Sequence, residues 1–397
     1  MSDSSYILAY KRTPIGSFMG SLRSVSAPQL AASSIDCMLN DLGVDSHHYE
    51  QIIMGNVLQA GVGQAPARQA ALKAGLPDSV CATTINKVCG SGLQSVAYAD
   101  QLIRLGASSL IIAGGMENMS QAPHFLQSMR EGAKLGAQNL QDSLIHDGLW
   151  DPYNNIHMGT CAERLATDKG YTREQQDNYA LESYRRALDA IDNGLMEKEI
   201  SPVTISTKKG EIVVSKDEEP AKFIPGKIAK LRPPFAQDGT ITAANASSIS
   251  DGAAAIVLSS LEAAKKLNIK PTARIVAHCS FAHKPINFTT APIQAIGKVL
   301  DSCRIDINDI DLFEINEAFA CVVMAAIEEL NIDNEKVNIH GGAISLGHPI
   351  GASGTRVLVT LLSALKTYNK KFGLATLCIG GGEAIAIVVE NLADGIE

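Results

Sequence analysis

Leu110-Ile111-Ile112-Ala113-Gly114-Gly115-Met116-Glu117 recurs 266 positions later as Thr376-Leu377-Cys378-Ile379-Gly380-Gly381-Gly382-Glu383. Four pairs hold the register: Ile111 with Leu377, Gly114 with Gly380, Gly115 with Gly381, and Glu117 with Glu383. A second register, offset by 261, matches Leu39, Asp45, Ile52 and Met54 to Leu300, Asp306, Phe313 and Ile315. Both copies read helix, loop, then apolar strand, and the five-residue change of offset is one loop's worth of insertion. Short Val/Ile/Ala runs such as Ser109 to Ala113 alternate with helical patterns such as Gly92 to Leu105. That alternation predicts buried strands covered by helices on both faces.

Between the two matches, the glycine-rich stretch Lys87-Val88-Cys89-Gly90-Ser91-Gly92-Leu93 corresponds approximately to Gly347-His348-Pro349, followed by Gly351 and Gly354. A pseudo-twofold axis therefore brings Cys89 and His348 to equivalent places. From about Gln121 to Ser248 the chain is more polar, holds a helical pattern from Thr172 to Ile191, and matches neither copy. Asp251 to Leu258 then resumes an apolar core strand. The division expected is a first unit over 1–120 plus 249–270, a loop domain over 121–248, and a second unit over 271–397. The fold class is α/β, with two duplicated core units and the loop domain inserted in the first.

The 397 residues, 46% hydrophobic with 33 glycines and 5% aromatics, fit an α/β enzyme with close helix packing. A net charge of −8 without a basic cluster excludes nonspecific nucleic-acid binding. No apolar run reaches the ~18 residues needed to span a bilayer. The eight cysteines show no CxxC pair or zinc-like spacing, which points to a reduced compartment. The opening residues carry neither a signal pattern nor an Arg-rich presequence, so the expected location is cytoplasmic.

Cys89 sits where an apolar helical pattern begins, at or near a helix N-terminus whose free N–H groups favour a thiolate. A lone cysteine is more often a small buried hydrophobe, and a lone histidine more often structural. Opposite each other, the two change meaning, because an imidazole within hydrogen-bond reach is the usual way to activate a thiol. Cys378, read as following the strand Leu374 to Leu377, opens a three-glycine turn whose backbone N–H groups can face an oxyanion. Neither glycine cluster has dinucleotide-binding spacing. Asn316, in Asn316-Glu317-Ala318-Phe319 at a strand end, fits a helix cap or a group that orients a water or a histidine.

Val88-Cys89-Gly90-Ser91-Gly92, Asn316-Glu317-Ala318-Phe319, Gly347-His348-Pro349 and Cys378-Ile379-Gly380-Gly381-Gly382, in that order, make the chain resemble the thiolases over nearly its whole length. The resemblance implies a thiolase-like fold and a reversible Claisen condensation of two acetyl-CoA to acetoacetyl-CoA and CoA. Cys89 would be acetylated, His348 would take its proton, and Cys378 would deprotonate the second acetyl-CoA. A water held by Asn316, with His348, would stabilise the enolate, and the N–H groups of Cys89 and Gly380 would form the oxyanion hole. Coenzyme A is then substrate and product, and no metal or redox cofactor is implied. No nucleic-acid or membrane partner is implied, and a homotetramer or homodimer is expected.

Ile156-His157-Met158-Gly159-Thr160 looks like the short-chain biosynthetic members. On the same resemblance the His157-Met158 pair narrows the acyl pocket, Leu149, Phe235, Ala243, Ser247 and Phe319 line the pantetheine tunnel with Ser247 bonding the pantetheine amide, and Ala318 is a further substrate-binding residue. Two departures stand out. Phe288 occupies a position often held by methionine and reshapes the acyl end of the pocket. The stretch Ser215 to Gly226, associated with CoA binding and assembly, lacks an expected arginine, which Lys216, Lys222 or Lys227 would replace. The rival readings are a degradative 3-ketoacyl-CoA thiolase of broader chain length, a ketoacyl-synthase-like condensing enzyme, which Cys378 disfavours, and a non-catalytic acyl-CoA or lipid-binding module.

Overall fold

The computed structural model describes residues 4–392. In chain order the core elements begin with β1 (Tyr6–Arg12), α1 (Ala27–Leu42), β2 (Gln51–Gly55), α2 (Pro66–Lys73), β3 (Cys81–Ile85), α3 (Ser91–Arg104) and β4 (Leu110–Asn118). After β4 the chain leaves the sheet and builds α4 (Met158–Lys169) and α5 (Arg173–Asp192) among long loops. It returns as β5 (Ser250–Ser259) and continues through β6 (Ala273–Ala282), α6 (Ala291–Cys303), β7 (Leu312–Ile315), α7 (Ala320–Leu330), α8 (Ser353–Thr367), β8 (Phe372–Ile379) and β9 (Glu383–Asn391).

The main sheet runs β7-β8-β9-β6-β1-β5-β4-β2-β3. Its centre is the antiparallel contact of β6 with β1, and the strand order outward from there repeats: β9, β8, β7 on one side and β5, β4, β2 on the other. The outer pairs β7 with β8 and β2 with β4 are both parallel. The two offsets read from sequence thus correspond to β2 against β7 and β4 against β8. Two α/β units with a loop domain inserted in the first is the observed architecture. Every residue of β4 and β5 is buried, as a sheet covered on both faces requires.

Helices α3 and α8 form the central layer, sharing one apolar cluster with strands of both halves. Helix α8 is buried on all sides from Ser353 to Leu365, as a helix enclosed by other elements must be. The two helices meet at their first turns. A Cβ at Gly354 would lie 2.3 Å from the Leu93 backbone nitrogen, and one at Gly92 2.8 Å from that of Thr355. Only glycine allows this backbone-to-backbone crossing, and it brings together the turns that precede α3 and α8.

The excursion is anchored to β1 by a buried ion-pair cluster. Arg12 Nε donates to Glu199 Oε1 at 2.6 Å, and its Nη1 and Nη2 to the Asp217 carboxylate at 2.6 and 2.9 Å. Removing one partner of such a cluster leaves an uncompensated buried charge, which typically costs about 3–5 kcal/mol. Arg12→Met is accordingly expected to lower the unfolding free energy by about that amount, measured by urea denaturation. A loss below about 1 kcal/mol would show that the cluster does not hold the excursion down.

Cys89 lies at the helix N-terminus as expected, immediately ahead of Gly90, the N-cap of α3. Two local expectations are corrected. Cys378 lies inside β8, paired opposite Ala384, and not after the strand, since the sheet ladder continues to Ile379. Asn316 does not cap α7, whose N-cap is Phe319. Among the described residues no helix is long and apolar enough to cross a membrane.

Candidate active site

The nucleophile turn is held in an uncommon backbone conformation. Val88 has φ +47, the left-handed region that a β-branched side chain rarely enters. Three hydrogen bonds keep it there. Asn86 Oδ1 accepts from Val88 N at 2.9 Å, Ser91 Oγ accepts from Lys87 N at 2.8 Å, and the same hydroxyl donates to Val88 O at 2.7 Å. The result is a strand-turn-helix that presents Cys89 to a cavity of about 260 Å³.

That cavity is lined by Cys89, Leu149, His157, Met158, Phe235, Ala243, Ser247, Phe288, Ala318, Phe319, His348 and Gly380, along with Met119 and Ile350 among others. The structure therefore gathers residues from the loop domain and both core units around one space. Most of the wall is apolar. His157 Nδ1 accepts from Gly159 N at 3.0 Å and its ring stacks on Phe235, with centroids 4.7 Å apart. Burial lowers the His157 pKa, so this imidazole is neutral and serves as a wall. Ser247 is pinned by its N–H to Ala318 O at 3.0 Å, which joins the loop domain to the segment after Asn316.

Cys378 and Asn316 lie outside the cavity lining and are both 1% exposed. Cys378 shares an apolar cluster with Met158, Phe288 and Phe319. Burial, then the neighbouring Cys89, holds its thiol well above the usual range. Asn316 follows β7, and its N–H donates to Thr376 O at 3.0 Å. Neither its Oδ1 nor its Nδ2 finds a protein partner among the described residues. A buried amide with both ends unpaired is rare and marks a place for a water or a substrate group.

His348 is 6% exposed. Its Nδ1 is 2.5 Å from Ser353 Oγ, and that hydroxyl donates to Pro349 O at 2.9 Å. Because the serine proton is committed to the carbonyl, Nδ1 carries the imidazole proton and Nε2 is left as an acceptor. Nε2 has no partner among the described residues. Burial, and then the Arg356 charge, lower the His348 pKa to about 3, so the resting ring is neutral.

Cys89 departs from the low thiol pKa expected at a helix N-terminus. Burial pushes it up to about 11, and the Glu117 charge adds to the rise. The N–H groups of Gly380 and of Cys89 itself face the sulfur and act in the other direction without prevailing. The resting group is a thiol, and the same two N–H groups are placed to receive negative charge.

Several contributors had little signal in the sequence. Ser353 is an ordinary helix-start serine until His348 is seen against it. Glu117 accepts from Val57 N at 2.9 Å, Leu58 N at 3.1 Å, Gly351 N at 3.0 Å and Asn56 Nδ2 at 2.7 Å, tying β4 to the turn after His348. Its place in the repeat opposite Glu383 was the one available hint. Glu317 accepts from Tyr179, Ser183, Asn338 and the Ile344 N–H, which steadies the segment carrying Asn316. Of the lysines considered for the CoA nucleotide, Lys222 and Lys227 border a second depression that shares Ala243 with the cavity. Lys216 lines a separate pocket beside Asp217. Lys222 also pairs with Glu218 at 3.1 Å.

Comparison with known proteins gives a consistent picture. The model "Thiolase, N-terminal domain" matches residues 5–262 and "Thiolase, C-terminal domain" residues 269–391. The acetyl-CoA acetyltransferase of Escherichia coli (strain K12) is 50% identical over 388 residues, covering 97% of this chain and 98% of the relative. That of Yarrowia lipolytica is 48% identical over 391 residues, 98% of this chain and 97% of the relative. The crystal structure of the Bacillus anthracis acetyl-CoA acetyltransferase superposes with a TM-score of 0.96 at 40% identity, covering 98% of this chain and 99% of the other. The Acat5 thiolase from Ascaris suum in complex with coenzyme A gives 0.93 at 42% identity, covering 98% and 100%.

Proposed function

Since the chain belongs to the thiolase family, we propose that it is an acetyl-CoA C-acetyltransferase, interconverting two acetyl-CoA with acetoacetyl-CoA and CoA. The observation that carries the reading is one cavity lined by Cys89, His348 and Gly380, with the His348 Nε2 unpartnered among the described residues and the Gly380 N–H at the Cys89 sulfur. Relatives bearing the acetyl-CoA acetyltransferase name, and a relative solved with coenzyme A, support the substrate class.

In the proposed sequence Cys89 Sγ attacks the acetyl thioester carbonyl as His348 Nε2 takes the thiol proton. The tetrahedral oxyanion is met by the N–H groups of Cys89 and Gly380. Loss of one such donor typically costs ~3–4 kcal/mol of barrier. A thiol held neutral by burial is first an acid. Cys378 therefore gives its proton to the departing CoA sulfur, and the thiolate so formed beside imidazolium is the base for the next step. It removes a methyl proton from the second acetyl-CoA. His348 and a water on the Asn316 amide stabilise the enolate oxygen, whose carbon attacks acetyl-Cys89. Collapse releases acetoacetyl-CoA, and Cys89 regains its proton from His348. No metal or redox group enters these steps.

Phe288 and Met158 narrow the acyl end with large, buried side chains. Thiolysis of 3-ketoacyl-CoAs of increasing length should therefore fall steeply beyond acetoacetyl-CoA, by about tenfold or more per few carbons, as overpacking of a filled site implies. Equal kcat/KM for long chains would replace this reading by a broad degradative one. A cytoplasmic location, supported by eight unpaired cysteines, and assembly as a homodimer or homotetramer, supported by exposed Met129, Leu135 and Leu140, complete the proposal.

A further inference from the structure

The two N–H groups that face the Cys89 sulfur come from opposite halves of the molecule. Their separation is fixed where the turn around Cys89 meets the hairpin turn between β8 and β9. Three contacts join those turns. A Cβ at Gly90 would lie 2.3 Å from Ile379 Cδ1, and one at Gly380 3.7 Å from Val88 Cγ1, so both are close apolar approaches. The third is an ion pair between Lys87 Nζ and Glu383 Oε2. Lys87 stands two residues before Cys89, and Glu383 three after Gly380.

Apolar contacts resist compression but tolerate sliding, whereas an ion pair is anchored at a point. The turns on both sides need anchoring. Val88 is in the left-handed region, and Gly381 and Gly382 have φ +95 and +90. Glu117, at the position equivalent to Glu383 in the repeat, likewise reaches into the other half, where it holds Gly351 three residues after His348.

We propose that Lys87 and Glu383 are positioning residues of the acyl-transfer site, their ion pair locking the Cys89 turn to the Gly380 turn and so setting the spacing of the oxyanion hole. The inference rests on the acyl-transfer reading above. The pair is half-buried at the rim of the two turns, its side chains 23% and 37% exposed, and its loss is expected to cost little stability, which separates position from folding.

The test uses the full-length protein with Glu383→Ala, Lys87→Met, the double variant and Glu383→Gln, assayed by acetoacetyl-CoA thiolysis. Each of the first two should lower kcat about tenfold to a hundredfold, in the range set by small misplacements and lost oxyanion donors, with KM within about twofold. The double variant should be no slower than the slower single one, because the partners act as a unit. Glu383→Gln, which keeps an acceptor for the ammonium, should recover most of the rate. Alkylation of Cys89 by iodoacetamide needs a thiolate but no oxyanion hole, and should fall far less than kcat in Glu383→Ala. Unchanged kcat in Glu383→Ala, additive losses in the double variant, or alkylation falling in parallel with kcat would each overturn the proposal. An inactive wild type would overturn the activity reading and this inference with it, whereas an active wild type with an equally active Glu383→Ala would overturn this inference alone.

Discussion

Cys89→Ala is expected to take up no acetyl group from acetyl-CoA and to lose turnover by about 10⁴-fold or more, the scale on which removal of a covalent nucleophile acts. The argument is geometric. Cys89 lines the cavity, His348 lines it too and its Nε2 has no partner among the described residues, and two backbone N–H groups point at the Cys89 sulfur. Cys378 does not line the cavity and burial holds its thiol well above the usual range, which makes it the poorer nucleophile. Intact-mass spectrometry after mixing with acetyl-CoA decides the matter, and an acetyl adduct retained by Cys89→Ala would place the nucleophile elsewhere. The resting thiol gives a companion signature. With its pKa pushed up to about 11, the thiolate fraction rises with pH throughout the neutral range. Alkylation of wild-type Cys89 should therefore accelerate about tenfold per pH unit between pH 6 and about 9. A plateau near pH 7 would reveal a thiolate already formed.

Cys378→Ala is expected to separate the two halves of the reaction. The acetyl adduct on Cys89 should still form, while turnover falls by about 10³-fold, within the range for loss of a general acid–base group. Release of CoA loses its proton donor, but a thiolate leaving group of ordinary acidity departs without one, so acetylation slows and persists. Proton removal from the second acetyl-CoA has no such escape. Wild-type enzyme should exchange the acetyl-CoA methyl protons with deuterated solvent, and the variant should not. Exchange surviving in Cys378→Ala would assign the base to another group, and loss of the adduct in that variant would assign Cys378 to the first half-reaction.

The fold was legible because strands obey a local rule and the repeat doubled the signal. Ile111 against Leu377 and Ile52 against Phe313 are weak matches singly, but two registers in order leave one topology. The meeting of Cys89 with His348 followed from the same offsets. What escaped depends on atoms distant in sequence. The thiolate expected at Cys89 treated the helix end as exposed, whereas burial dominates its acidity. The capping role weighed for Asn316 assumed that α7 begins at once, but the chain first makes a tight turn, Ala318 N–H to Asn316 O, and α7 starts only after Phe319, which leaves the amide without a partner among the described residues. Arg12 with Glu199 and Asp217, Lys87 with Glu383, and Ser353 beneath His348 have no periodicity to betray them.

The backbone crossing at Gly92 and Gly354 has a consequence for ancestry. A duplicated gene ordinarily frees one copy to drift or be discarded. Here the crossing spends one catalytic turn from each copy on a single pocket, and the excursion after β4 roofs that pocket from one side alone. Neither half holds a whole reaction centre by itself, so a change in either turn acts on the chemistry of both.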